Sequence, residues 1–161
     1  MDNAYFTKII EQHKDRLFAI AFNYFKNSHD SDDVVQEVFI KFYNVKKEFE
    51  SDEHIRNWLI KVTINQCKKI LVSSWFKKHV ALEEYANGLS FETTEESDLF
   101  YAVMNIPKKY RVVVHLYYYE GYNIKEISEL LRIKETAIST RLMRARKILK
   151  ECLKEIWEDE K

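Results

Sequence analysis

The sequence predicts an all-α protein of two small helical domains joined by an acidic, flexible linker, with a helix-turn-helix in the C-terminal domain. Three observations carry that prediction. The 161 residues include two glycines and one proline, too little turn punctuation for a sheet-rich fold. Apolar residues recur at three- and four-residue spacing along most of the chain, the period of helices with one buried face. Between residues 80 and 97 that period lapses into acidic sequence, as a connection would. A content of 46% hydrophobic and 32% charged residues suits a folded, helix-rich chain rather than a disordered one.

The elements follow in order. Phe6, Ile9, Ile10, His13, Leu17, Ile20, Ala21 and Tyr24 predict a first helix over about 4–25. Val34, Val35, Val38, Phe39, Phe42 and Tyr43 predict a second, with Asp30 or Ser31 as its N-cap. A third, longer helix is expected over about 53–75, with Ile55, Trp58, Leu59, Val62, Ile70 and Leu71 on its apolar face. The domain ends near residue 79, the linker occupies 80–97, and the second domain runs over 98–161. There Leu99, Phe100, Val103 and Met104 form a short apolar stripe, and Pro107 suits the first turn of a helix carrying Tyr110, Val113, Val114, Leu116 and Tyr117. Gly121 is placed to end that helix, and Asn123 with Glu126 resembles a capping box for the next. Ile124, Ile127, Leu130 and Leu131 are its apolar residues; "RIK" leads into a last helix over about 135–157.

The formal net charge of +0 conceals segregated blocks. Asp30, Asp32, Asp33 and Glu37 are acidic; Lys68, Lys69, Lys77, Lys78 and His79 are basic; acids dominate 83–98; the last helix is basic again. Solvated helix faces usually mix signs, so the segregation suggests separate surfaces for separate partners. No long uncharged apolar run predicts a membrane span, and "MDNAYFTKII" lacks the pattern of a signal peptide, so no membrane insertion is expected. Cys67 and Cys152 have no Cys or His at metal spacing, which argues for reduced thiols. The five histidines form no catalytic or metal pattern and no phosphate-cradling glycine loop exists, so neither enzyme activity nor a cofactor is expected.

The stretch "NIKEISELLRIKETAISTRLMRARKIL" sets two helices of unequal length across a very short turn, a helix-turn-helix candidate. On a wheel, Ile138, Leu142, Ala145 and Leu149 share one face; Thr136, Ser139, Thr140, Met143 and Lys147 lie opposite, flanked by Arg141, Arg144 and Arg146. Small polar groups at the centre and cations at the rim suit a helix in the DNA major groove, the centre reaching base edges and the rim phosphates. A plain helical hairpin with a solvated basic face has the same spacing.

The longer stretch 106–149, with its Ile-Pro start, Tyr-Arg pair, aromatic run ending Glu-Gly-Tyr and closing Arg-Leu-x-Arg-Ala-Arg, resembles the C-terminal domain of bacterial sigma factors of the extracytoplasmic-function type. The resemblance implies that the last helix reads the promoter −35 element, with DNA-facing positions at Ser139, Thr140, Met143 and Arg144. Two departures stand out. Arg132 replaces the usual turn glycine, so the turn must avoid a left-handed residue or strain; Thr136-Ala137 replaces a frequent Gly-Thr.

Two further stretches extend the resemblance. "DSDDVVQEVFIKFY" is an amphipathic helix with acids at its start, which the helix dipole alone favours. Asp33, Gln36 and Glu37 match the family's Asp-x-x-Gln-Glu, which implies docking on the clamp helices of the RNA polymerase β′ subunit. "RNWLIKVTINQCKKILVSSWFKKH" mixes bases and aromatics; cations can track phosphates while Trp75 or Phe76 stacks on an unpaired base. It resembles the segment that melts and reads the −10 element, which implies roles for Asn65, Lys68, Lys69, Trp75, Phe76 and Lys77. Lys69 stands where the family has Asp or Asn, a change expected to alter base preference.

Taken together, these features predict an alternative sigma factor of the bacterial cytoplasm. The implied partners are core RNA polymerase (β′ clamp helices and β flap), promoter DNA and an anti-sigma factor. The rival readings are an autonomous helix-turn-helix regulator and a polymerase-binding protein that reads no promoter.

Overall fold

The structure is a computed structural model that describes residues 1–73 and 90–159. Among these residues every regular element is helical. The chain divides into two compact units, Met1–Leu82 and Glu83–Lys161.

The first unit packs α1 (Asn3–Phe25), α2 (Ser28–Asn44) and α3 (Asp52–Leu71) pairwise against one another. Asp2 caps α1, its carboxylate accepting the Ala4 N–H at 3.2 Å. Lys26 then takes a left-handed conformation and turns the chain into α2. Neither expected residue caps α2. Asn27 does, accepting the Asp30 N–H at 2.9 Å, so the helix starts earlier and Ser31 is buried inside it. The sequence misleads because "NSHDSDD" offers several residues able to cap. Ile9, Leu17, Ile20, Val34, Val38, Phe42 and Leu59 fill the core, as the helical period predicts.

The buried stripe of α3 continues differently from expectation. Ile60, Thr63, Ile64 and Cys67 are buried, whereas Trp58, Val62, Ile70 and Leu71 are half-buried. Thr63 tolerates burial because its hydroxyl donates to the Leu59 carbonyl at 2.7 Å. Burial pushes the Cys67 thiol far up, so it packs as a small hydrophobe. Phe49, on the connection before α3, joins Phe42 (5.5 Å between centroids) and Trp58 (5.8 Å), sealing that end of the core. The helix ends at Leu71 rather than near Trp75; the remainder of that prediction lies outside the described residues.

The second unit begins with α4 (Thr94–Asn105), capped by Thr93, whose hydroxyl accepts the Glu96 N–H at 3.1 Å. This helix starts four residues inside the predicted linker, where "TTEES" combines a cap with acids in the first turn. Pro107 immediately precedes α5 (Lys108–Val114). A π-helical turn over His115–Tyr119 continues it, a feature with no sequence signal. Gly121, at φ +74, stops the run, and the Tyr122 N–H closes onto the Leu116 carbonyl at 3.0 Å. Then come α6 (Ile124–Leu131) and α7 (Glu135–Asp159); α4, α5 and α6 all pack on α7. Arg111 is buried and donates to the Ile106 carbonyl at 2.7 Å, with burial holding its guanidinium down to about 10; it is part of the scaffold.

Candidate nucleic-acid interface

The helix-turn-helix is held at both ends and from behind. Asn123 accepts the Glu126 N–H at 2.8 Å while the Glu126 carboxylate accepts the Asn123 N–H at 3.0 Å, so the predicted capping box forms. Arg132 ends α6 in the left-handed region (φ 58, ψ 45), the geometry usually given to glycine. Of the two outcomes the sequence left open, the strained one holds. The Ile133 N–H donates to the Ser128 carbonyl at 3.2 Å, and the Ser128 hydroxyl donates back to the Ile133 carbonyl. Ile138, Leu142 and Ala145 then pin α7 from beneath with essentially no exposure, the Ile138 and Leu142 side chains each contributing about 1.5–3 kcal/mol.

The opposite face of α7 is open. Thr136, Ser139, Met143, Arg144 and Lys147 are exposed; Thr140 and Arg141 are half-buried. The Thr140 hydroxyl donates to the Thr136 carbonyl at 2.9 Å, so toward a base it offers an acceptor rather than its proton. Met143 is 62% exposed, an apolar side chain on a polar face, suited to touch a thymine methyl. Arg146 does not flank this face as the wheel suggested. Its Nε donates to the Tyr118 hydroxyl at 2.6 Å, and its guanidinium lies 5.5 and 5.6 Å from the Tyr117 and Tyr118 ring centres. The π turn places those rings, and a straight helical wheel does not foresee it.

A concavity of about 480 Å³ opens beside α7, and Arg141 and Arg144 line it with Lys109 and Lys134. Sequence reasoning missed Lys109. Its signal, a Lys-Lys pair directly after Pro107, is too short to say which helix it faces.

In the first unit, Asp33, Gln36 and Glu37 are all exposed on one side of α2. His29 Nε2 lies 3.6 Å from Asp33 Oδ2, both well exposed, an attraction that solvent screens and that exists only when the imidazole is protonated. Gln36 also lines a groove of about 480 Å³ between α1 and α2, floored by Phe6, Ile10, Phe18 and Phe39 and edged by the exposed Ile40. Asn65, Lys68 and Lys69 occupy the last two turns of α3; Asn65 and Lys69 are exposed and Lys68 is half-buried. Lys41 donates to Gln66 at 2.8 Å next to them. Trp75, Phe76 and Lys77 lie outside the described residues. No helix among the described residues is long and apolar enough to cross a membrane.

Residues 9–76 match the family model for Sigma-70 region 2, and residues 99–149 match that for Sigma-70, region 4. The chain is 26% identical to the ECF RNA polymerase sigma factor SigW of Bacillus subtilis (strain 168), an alignment covering 96% of this chain and 92% of that protein. It is 24% identical to the ECF RNA polymerase sigma-E factor of Escherichia coli (strain K12), covering 92% and 86%. The fold is similar to that of the sigma factor RpoE of Bartonella quintana, solved with the anti-sigma factor NepR, at a TM-score of 0.72 and 19% identity over 92% of this chain and 96% of that one. CnrH, solved with the cytosolic domain of CnrY, gives a TM-score of 0.65 at 21% identity over 96% and 90%. With one family region matched in each helical unit, the chain belongs to the sigma-70 family as an alternative sigma factor of the extracytoplasmic-function type, directing transcription initiation by core RNA polymerase.

Proposed function

We propose the following division of labour. The N-terminal half of α7 reads the −35 element, with Thr136, Ser139, Thr140 and Met143 toward the bases and Arg141, Arg144 and Lys147 toward phosphates. The end of α3 and the segment after it, through Asn65, Lys68, Lys69, Trp75, Phe76 and Lys77, open and read the −10 element. Asp33, Gln36 and Glu37 dock on the β′ clamp helices, and the C-terminal domain (98–161) meets the β flap. Residues 1–79 and 98–161 act as separate readers joined by the linker 80–97. The chain works in the bacterial cytoplasm without chemistry of its own, and RNA synthesis belongs to the polymerase.

One observation carries the −35 assignment: a row of small polar side chains and one methionine, exposed on a helix pinned from behind, with cations at its edge. That arrangement divides base reading from backbone positioning, as a major-groove helix requires. The clamp assignment is supported by the exposure of all three side chains and by the apolar groove beside Gln36, which gives a partner helix both polar and apolar contacts. We also infer an anti-sigma partner, because the sigma factor RpoE, of similar fold, was solved with the anti-sigma factor NepR, and CnrH, also of similar fold, with the cytosolic domain of CnrY.

The test is run-off transcription with purified core polymerase on promoters randomised at both elements. The expected result is initiation that requires the chain and selects two dissimilar elements. Tight, polymerase-independent binding of a palindrome would instead favour an autonomous regulator.

A further inference from the structure

Four cations converge on the concavity beside α7, and they come from three separate places in the chain. Lys109 stands at the start of α5, Lys134 in the turn before α7, and Arg141 and Arg144 on α7 itself. No carboxylate lines the concavity, and among the described residues none of the four forms an ion pair. The Lys109 ammonium lies 5.2 Å from the centre of the Tyr110 ring, and Tyr110 is buried. That contact steers an otherwise flexible stem toward the concavity rather than into bulk solvent. A surface with four cationic donors and no carboxylate in its lining fits an anion with several acceptor oxygens.

We infer that this concavity seats one phosphodiester of the DNA backbone flanking the −35 element, with Lys109 as a positioning residue. The inference rests on the reading of α7 as the −35 helix. A helix lying in the groove and held only by its own side chains can rock about its long axis. Lys109 belongs to a different helix, so a phosphate shared between Lys109 and the α7 arginines ties the α5–α7 pair to the backbone at a second point. This fixes the tilt at which Ser139, Thr140 and Met143 meet the bases without touching a base itself. A lysine here acts as a point charge, so its contribution is electrostatic and independent of sequence.

The test uses the full chain assembled with core RNA polymerase, on duplex promoter fragments selected in run-off transcription. Affinity is measured against salt for wild type, Lys109→Ala, Lys109→Arg and Arg144→Ala. Lys109 is exposed, so its variants are expected to fold. Removing one phosphate contact lowers the log–log salt slope by about 0.9, so on a threefold rise in salt wild type loses about 2.7-fold more affinity than Lys109→Ala. Lys109→Arg is expected to keep the wild-type slope, and −35 base preference is expected to stay the same in both. If Lys109→Ala keeps the full slope while Arg144→Ala loses it, the inference is wrong and the −35 reading stands. If neither loses slope, the −35 reading falls and takes the inference with it. If Lys109→Ala changes base preference, or weakens polymerase assembly instead of DNA binding, the concavity serves something other than a backbone phosphate.

Discussion

Arg132 is the residue at which this helix-turn-helix departs most sharply from ordinary backbone chemistry, and replacing it with glycine tests that. At φ 58 and ψ 45 its Cβ crowds the following carbonyl, which costs an L-residue about 1–2 kcal/mol. Glycine removes that cost but gains unfolded-state freedom worth about 0.5–1 kcal/mol. The Arg132 side chain is exposed, and both backbone donors of the turn still reach the Ser128 carbonyl without it, so little else changes. The net expectation for Arg132→Gly is a stabilisation of about 0.5–1 kcal/mol, or about 2–8 °C for a unit of this size. Arg132→Ala is the control: it removes the same charge and keeps the Cβ, so it is expected to give no gain. Thermal unfolding of the full chain measures the shift. Hydrogen exchange localises it, with about 2- to 5-fold slower exchange expected for globally protected amides of α6 and α7. Equal stability of the glycine and alanine variants would refute the strain argument.

Other predictions follow from the same geometry. Gln36→Ala combined with Glu37→Ala is expected to weaken capture of core polymerase in a pull-down while helix content by circular dichroism is unchanged, since both side chains are exposed. Lys69→Asn is expected to shift base preference at one −10 position and leave −35 preference fixed in transcription from doubly randomised promoters, because lysine only donates whereas asparagine also accepts. The His115 Nε2 is buried and finds no hydrogen-bond partner among the described residues, and burial lowers the pKa of the imidazole despite Glu120. The unfolded chain therefore takes up a proton there first. Stability of the second unit is expected to fall as pH drops below about 6.5, by up to about 1.4 kcal/mol per pH unit. His115→Gln is expected to flatten that slope in denaturant titrations at several pH values; an unaltered slope would mean that other groups set it.

The parts of this molecule that follow short-range rules were legible in its sequence. The helical period located the Ile9–Leu17–Ile20 and Ile138–Leu142–Ala145 stripes, and the capping box at Asn123 and Glu126 was readable from spacing alone. What escaped depends on contacts between distant residues. Asn27 caps α2 in place of Asp30 or Ser31, and Ser31 is buried one turn inside the helix with its hydroxyl donating to the Asn27 carbonyl at 2.6 Å, an arrangement that local preference does not single out. Phe49 reads as a lone aromatic in a polar connection until Phe42 and Trp58 close over it. On a straight wheel Arg146 flanks the exposed face of α7. The π turn draws it onto Tyr117 and Tyr118 from 28 residues away. Lys109 is similarly invisible, since only the packing of α5 on α7 brings it to Arg141 and Arg144. The exposed face of α7 was legible because it lies on one helix whose buried side fixes its exposed side.

If the exposed face of α7 chooses the −35 sequence, as proposed, changing that face should transfer the preference. Ser139→Arg adds a bidentate donor fork aimed at a base edge, and Met143→Ala removes the apolar contact, while Ile138, Leu142 and Ala145 keep the helix in place. Each variant is assembled with core polymerase and assayed on a promoter library randomised at both elements. Each substitution is expected to change preference at one or two −35 positions, Ser139→Arg toward guanine by about 1–3 kcal/mol of discrimination, with the −10 profile unchanged. Unchanged −35 profiles for both variants, in protein that still initiates transcription, would contradict the proposed role of this face.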